Sequence, residues 1–230
     1  ANVKSVSKSI ISTLVGIAIE RRLIPTVDEP IATYFPELAK DPDTRKRSIT
    51  IEDLLTMRSG LESTSGANYG GWVKSANWVR FALRQPIVSE PGTAMKYSTG
   101  SSHLLSAILT KVSRKSTLLF AQETLATPLG FRLASWPRDP QGIYFGGNEM
   151  LLTPKPMAAI GITLRPPGDA GTAMQLGHSY SSISSPLIFA STMRSMASRY
   201  SSLNPPGSQS AERLSISVWA MSSSFGRTFI

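Results

Sequence analysis

Ser5 and Lys8, three residues apart in Ser5-Val6-Ser7-Lys8, are residue types that could act as a nucleophile and its base. A serine hydroxyl is a poor nucleophile until something takes its proton, and with no histidine nearby the acceptor has to be another group, such as an amine. On a helix, residues three apart share a face, which would set the Lys8 ammonium beneath the Ser5 hydroxyl. Burial strips hydration from a charged lysine, lowers its pKa and leaves a neutral amine able to accept a proton. Free backbone N–H groups at the start of the helix would stabilise an oxyanion. The same spacing has a plainer reading, in which Ser5 or Ser7 caps the helix and Lys8 is a solvated residue of its first turn. Tyr97 is the third candidate. It follows a Pro-Gly turn and precedes an apolar helix, where a phenol either relays a proton between Ser5, Lys8 and a leaving group or packs as a half-buried core residue.

Composition narrows the alternatives. The chain has 230 residues, 41% hydrophobic and 17% charged, the balance of a globular protein with a real core. It has no cysteine, which removes disulfides, thiolate metal sites and cysteine nucleophiles. The two histidines, His103 and His178, are far apart with no carboxylate at ligand spacing, so no metal is expected. The net charge of +9 is scattered, with Arg45-Lys46-Arg47 as a short basic run, and no nucleic-acid motif frames it. No nucleic-acid partner is expected. The apolar stretch from Ile10 to Ile19 is interrupted by Ser12, Thr13 and Gly16 and falls short of the ~20 residues a bilayer span requires. The N-terminus lacks the order of a signal peptide, and Ala1 reads as an internal start. The compartment stays open between periplasmic, secreted and cytoplasmic, as does the oligomeric state.

The elements that would position these groups follow from periodicity. Ile10, Ile11, Leu14, Val15, Ala18 and Ile19 recur at helical spacing and predict a buried helix from Ser7 to about Arg22. Thr50-Ile51-Glu52-Asp53 has the pattern of a capped helix start, with Gly60 as its stop. A loop rich in Ser, Gly and Asn runs from Glu62 to Gly71, and a helix is expected from about Trp72 to Leu83. Further helices are expected after Tyr97, through Leu104, Leu105, Ile108, Leu109 and Val112, and from Leu118 to Ala126. The segment from Phe131 to Gly147 mixes aromatics with Pro and Gly and suits short strands and turns.

Taken together these stretches resemble the serine hydrolases of the β-lactamase and penicillin-binding-protein superfamily, most nearly its class C-like branch of esterases, D-aminopeptidases and 6-aminohexanoate-oligomer hydrolases. The resemblance rests on Ser-Val-Ser-Lys-Ser at Ser5 to Ser9, Ile-Thr-Ile-Glu-Asp-Leu-Leu-Thr-Met-Arg-Ser-Gly-Leu at Ile49 to Leu61, and Glu-Pro-Gly-Thr-Ala-Met-Lys-Tyr-Ser-Thr-Gly at Glu90 to Gly100. It continues through Pro128 to Phe131 and Trp136 to Pro154, in the superfamily's order and over nearly all of Ala1 to Gly161. It implies Ser5 as the acylated nucleophile, Lys8 as its base and Tyr97 as the first residue of a Tyr-x-Asn-type element. The implied reaction passes through an acyl-enzyme and needs no metal or organic cofactor. The implied partner is a small ester or amide.

Three departures qualify that picture. Thr99 stands where the superfamily's β-lactamases and peptidases usually carry Asn, which favours esters or non-lactam amides. Four residues precede Ser5, where the superfamily has a segment contributing strands. The Lys-Thr-Gly or His-x-Gly strand has no counterpart: His178-Ser179-Tyr180 lacks the glycine, and Arg227-Thr228-Phe229 does not supply it. Trp136 and Tyr144 could line an acyl pocket or belong to the core, and the same choice holds for Trp72 and Trp78. Arg58 and Glu62, flanking Ser59-Gly60, read as local caps or bridges, His103 as a packed or surface histidine, and Asn148 and Glu149 follow a Gly146-Gly147 pair that suggests close backbone approach.

The expected fold is α/β in the β-lactamase manner, a helical region beside an incomplete antiparallel sheet. Residues 1–161 form the hydrolase core, and 162–230 form a segment in which roughly a quarter of the residues are serine and no periodicity lasts beyond about two turns. A reading-frame slip is one account of that tail. Codons for Pro167 to Ala173, read one nucleotide earlier, can encode Gly-Gly-Arg-Trp-Asp-Gly, which looks like the superfamily's usual continuation.

Overall fold

The computed structural model describes residues 1–163. The chain divides into two units, 1–154 and 155–230. The atypical segment 162–230, the frame-slip account, His178 to Tyr180 and Arg227 to Phe229 all lie outside the described residues, apart from the backbone of 162 and 163.

Within the first unit, helix α1 (Ser7–Glu20) forms where the apolar periodicity predicts it, and Ile10, Ile11, Leu14, Val15 and Ala18 are fully buried. Burying each of the larger side chains contributes about 1.5–3 kcal/mol, which explains why a helix with a glycine at position 16 and β-branched residues is stable here. Helix α2 (Ile51–Leu55) starts with the anticipated capping box: Thr50 accepts from the Asp53 N–H, and Asp53 accepts from the Thr50 N–H. It ends at Leu55 rather than Gly60, because Met57 turns left-handed at φ 59°. Gly60, at φ 74°, instead shapes the next turn, where a Cβ would meet the Ser89 carbonyl at 2.2 Å.

The helix expected from Trp72 to Leu83 is two helices, α3 (Tyr69–Lys74) and α4 (Trp78–Leu83). The break is made by Asn77, whose side chain caps α4 by accepting from the Arg80 N–H at 2.8 Å. Helix α5 (Thr99–Ser113) is the centre of the unit and packs against α1, α2, α4 and helix α6 (Thr117–Ala121). Its first half is nearly all small or polar residues, and every residue from Thr99 to Leu109 is buried. Small residues let neighbours come close: a Cβ on Gly100 would lie 2.5 Å from the Thr64 hydroxyl. After α6 the chain passes through a π-helical turn, Gln122–Ala126. Helix α7 (Pro154–Thr163) falls almost wholly in the second unit.

The expected antiparallel sheet is not formed. Among the described residues pairing is limited to isolated antiparallel bridges, Asn2 with Leu151, Pro30 with Thr50, Leu61 with Ile87 and Arg138 with Tyr144, and the architecture is helical. The cause is local. The Asn2 to Leu151 pairing is cut off when the chain turns into a 3₁₀ turn at Lys4–Val6 on one side and into α7 at Pro154 on the other. Between Phe131 and Gly147, Pro137 and Pro140 lack donors and Gly142 turns left-handed at φ 84°, so the Arg138 to Tyr144 bridge cannot propagate.

Candidate active site

Ser5 lies in the 3₁₀ turn Lys4–Val6, immediately before α1. Lys4 sits at φ 48°, a conformation that costs a non-glycine residue about 1–3 kcal/mol. It is held there by an N–H donated to the Asn2 side chain at 2.9 Å and an ion pair with Glu149 at 3.2 Å. Neither Ser5 nor Ser7 caps the helix: α1 has no side-chain cap, and Ser7 donates to the Lys4 carbonyl at 2.8 Å. The hydroxyl of Ser5 is therefore available for other partners.

Two partners meet it. Lys8 Nζ donates to Ser5 Oγ at 3.2 Å, and the Tyr97 hydroxyl shares a hydrogen bond with Ser5 Oγ at 2.7 Å. Lys8 Nζ also donates to the Gly147 carbonyl and stands 5.0 Å from the centre of the Tyr97 ring. Lys8 is buried, whereas Ser5 is half-buried and Tyr97 is 40% exposed, so the group opens to solvent on the tyrosine side. Burial lowers the Lys8 pKa below its ordinary 10.5, only partly offset by hydrogen bonding and attraction from Tyr97. For Tyr97, burial pushes upward, but hydrogen bonds with Ser5 and Lys8 and the lysine's charge outweigh it and bring the phenol below 10.0. The amine and the phenol are thus both shifted toward losing a proton at lower pH.

The loop Ser63-Thr64-Ser65 fixes Tyr97 and the start of α5. Ser63 donates to the Tyr97 carbonyl at 2.6 Å, Ser65 Oγ accepts from the Thr99 N–H at 2.9 Å, and Thr64 Oγ1 accepts from the Gly100 N–H at 2.7 Å. These side chains satisfy N–H groups that a helix start otherwise leaves unpaired. Ser98, the residue in the capping position of α5, makes no such bond to its own helix. The capping role of this loop was not legible in the sequence, because its partners are some 34 positions away.

Thr99 joins the group. Its hydroxyl pairs with Ser65 Oγ at 2.9 Å, and its methyl would lie 2.8 Å from a Cβ placed on Gly147. Gly147 is drawn against the same group, the close approach that the adjacent glycines signal: a Cβ there would also come within 3.1 Å of Lys8 Nζ. Asn148 donates to the Tyr69 hydroxyl at 3.2 Å, and Glu149 pairs with Asn2 and Lys4.

Trp136 and Tyr144 pack on each other, with ring centres 4.6 Å apart. The Trp136 indole donates to the Phe145 carbonyl at 3.1 Å, and the Tyr144 backbone carbonyl accepts from Ser106 at 2.7 Å. Both rings are buried within the turn they help to build. Trp72 and Trp78 belong to a neighbouring aromatic cluster with Phe145 and His103. His103 is fully buried and bonded to Asp139 at 3.0 Å, so the packed alternative holds and the surface one does not. Glu62 forms an ion pair with Lys96 at 2.7 Å. Among the described residues no helix is long and apolar enough to cross a membrane.

With this geometry in view, comparison with known proteins is informative. The family model described as Beta-lactamase matches residues 2–210. Among solved structures, a protein described as a 6-aminohexanoate-dimer hydrolase from Bacillus anthracis is similar with a TM-score of 0.58 and 18% identity, over 70% of this chain and 46% of that one. FmtA from Staphylococcus aureus is similar with a TM-score of 0.57 and 17% identity, over 70% of this chain and 50% of its own. A beta-lactamase/D-alanine carboxypeptidase from Yersinia pestis gives a TM-score of 0.53 and 17% identity, over 70% and 52% of the two chains. The chain therefore spans about half the length of the solved structures it matches. No curated protein matches the sequence.

Proposed function

The chain belongs to the beta-lactamase family, and from that premise we propose that it carries the acylating half of a serine hydrolase site, with Ser5 as nucleophile. The observation that supports this reading is the convergence on Ser5 Oγ of Lys8 Nζ at 3.2 Å and the Tyr97 hydroxyl at 2.7 Å. In the proposed reaction Ser5 Oγ attacks the acyl carbon of a substrate while its proton passes to the neutral Lys8 amine or to a Tyr97 phenolate. The tetrahedral intermediate collapses as that proton moves on to the leaving alkoxide or amine. Water then attacks the acyl-enzyme carbonyl while the Lys8–Tyr97 pair takes its proton; the acyl–Oγ bond breaks, the pair hands that proton to Ser5 Oγ, and the acid is released. These steps use side chains alone.

The finer assignment is a class C-like branch acting on carboxylic esters or small amides. Thr99 supports it: a hydroxyl already engaged by Ser65 offers a substrate amide less than the paired donor and acceptor of an asparagine would. Turnover of β-lactams or D-alanyl peptides is the alternative, and the names of the similar Yersinia protein keep it in view. The residues assigned to the hydrolase core are 1–161, in which Trp136 and Tyr144, buried against each other, serve as packing and not as a wall of the acyl pocket.

The test is intact-mass spectrometry after exposure to a fluorophosphonate, with Ser5→Ala alongside. One adduct on the 24.8 kDa chain that vanishes in the variant is the expected result. No adduct would mean that the chain is an inactive member of the family, and an adduct that survives Ser5→Ala would place the reactive nucleophile elsewhere. Parallel turnover of an aryl ester and a chromogenic cephalosporin separates esterase from β-lactamase activity.

A further inference from the structure

The strongest polar feature outside the Ser5 group is His103 against Asp139, whose side chains are both 0% exposed. The imidazole lies among Trp72, Trp78 and Phe145, with ring centres 5.8, 5.4 and 6.1 Å away. Desolvating such a pair is expensive, and an apolar side chain would fill the space at lower cost, so packing alone does not account for it.

The hydrogen bonds give the pair a direction. Asp139 Oδ1 accepts from the Gln141 and Ile143 N–H groups, each at 2.8 Å. Its Oδ2 faces His103 Nε2 at 3.0 Å. A carboxylate so placed takes the proton-bearing nitrogen of the ring, which puts the hydrogen on Nε2 and leaves a lone pair on Nδ1. That lone pair accepts from the Gly146 N–H at 3.4 Å. Gly146 is seated tightly there, since a Cβ would come within 2.2 Å of the Ser102 carbonyl. The carbonyl of the following residue, Gly147, is the one that accepts from Lys8 Nζ.

Resting on the reading of Ser5 and Lys8 given above, we infer that His103 and Asp139 are positioning residues that hold the Gly146–Gly147 backbone and, through the Gly147 carbonyl, set the Lys8 amine against Ser5. Asp139 selects the tautomer, the tautomer selects the backbone register, and the register places the lysine. Neither side chain touches the reacting atoms.

Asp139→Asn keeps the shape but turns a donor toward Nε2, which drives the ring proton to Nδ1 and sets it against the Gly146 N–H. The rate of fluorophosphonate capture at Ser5, counted per folded molecule, is then expected to fall at least about tenfold, by the logic of a histidine held in the wrong tautomer. His103→Asn retains an acceptor for the Gly146 N–H and is expected to keep more of the rate than His103→Leu, which has none. A purely structural role predicts that the two lose the rate equally. Independently of any variant, ¹⁵N spectra of histidine-labelled wild type at pH 8, with His178→Gln to assign the two rings, are expected to put the His103 proton on Nε2. A proton on Nδ1, an Asp139→Asn rate equal to wild type, or equal rates for His103→Asn and His103→Leu would overturn the inference. If Asp139→Asn does not fold, the spectra and the His103 variants decide. Failure of the underlying reading looks different: wild type itself is then not labelled, or Ser5→Ala is labelled equally.

Discussion

The hydroxyl of Tyr97 lies 2.7 Å from Ser5 Oγ across a separation of 92 residues, and the Tyr97 backbone is fixed by Ser63 of a serine-rich loop. In the proposed chemistry this contact is the route by which a proton leaves and returns. Tyr97→Phe keeps the ring beside Lys8 and removes only the hydroxyl. It is expected to lower kcat for an ester substrate by about 10²- to 10⁴-fold with little change in KM, because the lost interaction serves proton transfer and not binding. Steady-state kinetics with wild type as reference decide it, and a change confined to KM would sink the proton-transfer role.

In the proposed mechanism the position of Lys8 sets the pH dependence. Its pKa lies below 10.5 because burial penalises the charged form, and the base must be neutral to act. Activity is therefore expected to rise with pH through the folded-state value of the Lys8–Tyr97 pair, at lower pH than a free lysine would allow, since the phenol facing it is also shifted down from 10.0. Lys8→Ala is expected to remove that ascending limb and cost about 10²- to 10⁴-fold. A pH–rate profile of wild type whose limb stays in the variant would place the base elsewhere.

Gly147 leaves no room for a side chain. An added Cβ would stand 2.8 Å from the Thr99 methyl carbon and 3.1 Å from Lys8 Nζ. Gly147→Ala should displace the carbonyl to which Lys8 donates and slow acylation at least about tenfold, within the 10²-fold range that a 1 Å misplacement can reach. Gly71→Ala is the control, since its nearest contact is the end of the Phe81 ring at 3.9 Å. Rates of fluorophosphonate labelling compare the two, and equal rates would show that the Gly147 register is not critical.

How far the sequence could be read depended on the range of the forces involved. Helix α1 and the Thr50–Asp53 capping box were legible because periodicity and capping act within a few residues. Ser5, Lys8 and Tyr97 were legible as residue types, but their convergence depends on contacts over 92 positions that no local pattern encodes. The sheet was expected by analogy with a superfamily, whereas the residues between Phe131 and Gly147 carry prolines and a left-handed glycine that stop pairing after one bridge. His103 was ambiguous because only its pairing with Asp139, 36 residues on, distinguishes a core histidine from a surface one.

Stability at low pH should report on a pair outside the Ser5 group. Lys46, with a side chain only 6% exposed, donates to Asp41 at 2.9 Å and to the Leu83 carbonyl at 3.0 Å, tying the loop before α2 to the end of α4. Burial would push Asp41 upward, but the Lys46 hydrogen bond, the Asp43 N–H and the lysine's charge bring it below its ordinary 3.8. A carboxylate lowered in the folded state adds stability that is present above the unfolded value near 3.8 and is lost as pH falls through the folded value. Lys46→Met removes the donor from both acceptors and is expected to cost about 2 kcal/mol near pH 7. Because protonating Asp41 also ends its pairing with Lys46, the gap between wild type and variant should narrow as pH drops below about 3.8. Denaturant unfolding at pH 7 and pH 3 measures that gap, and a difference independent of pH would assign the stabilisation to the Leu83 carbonyl alone.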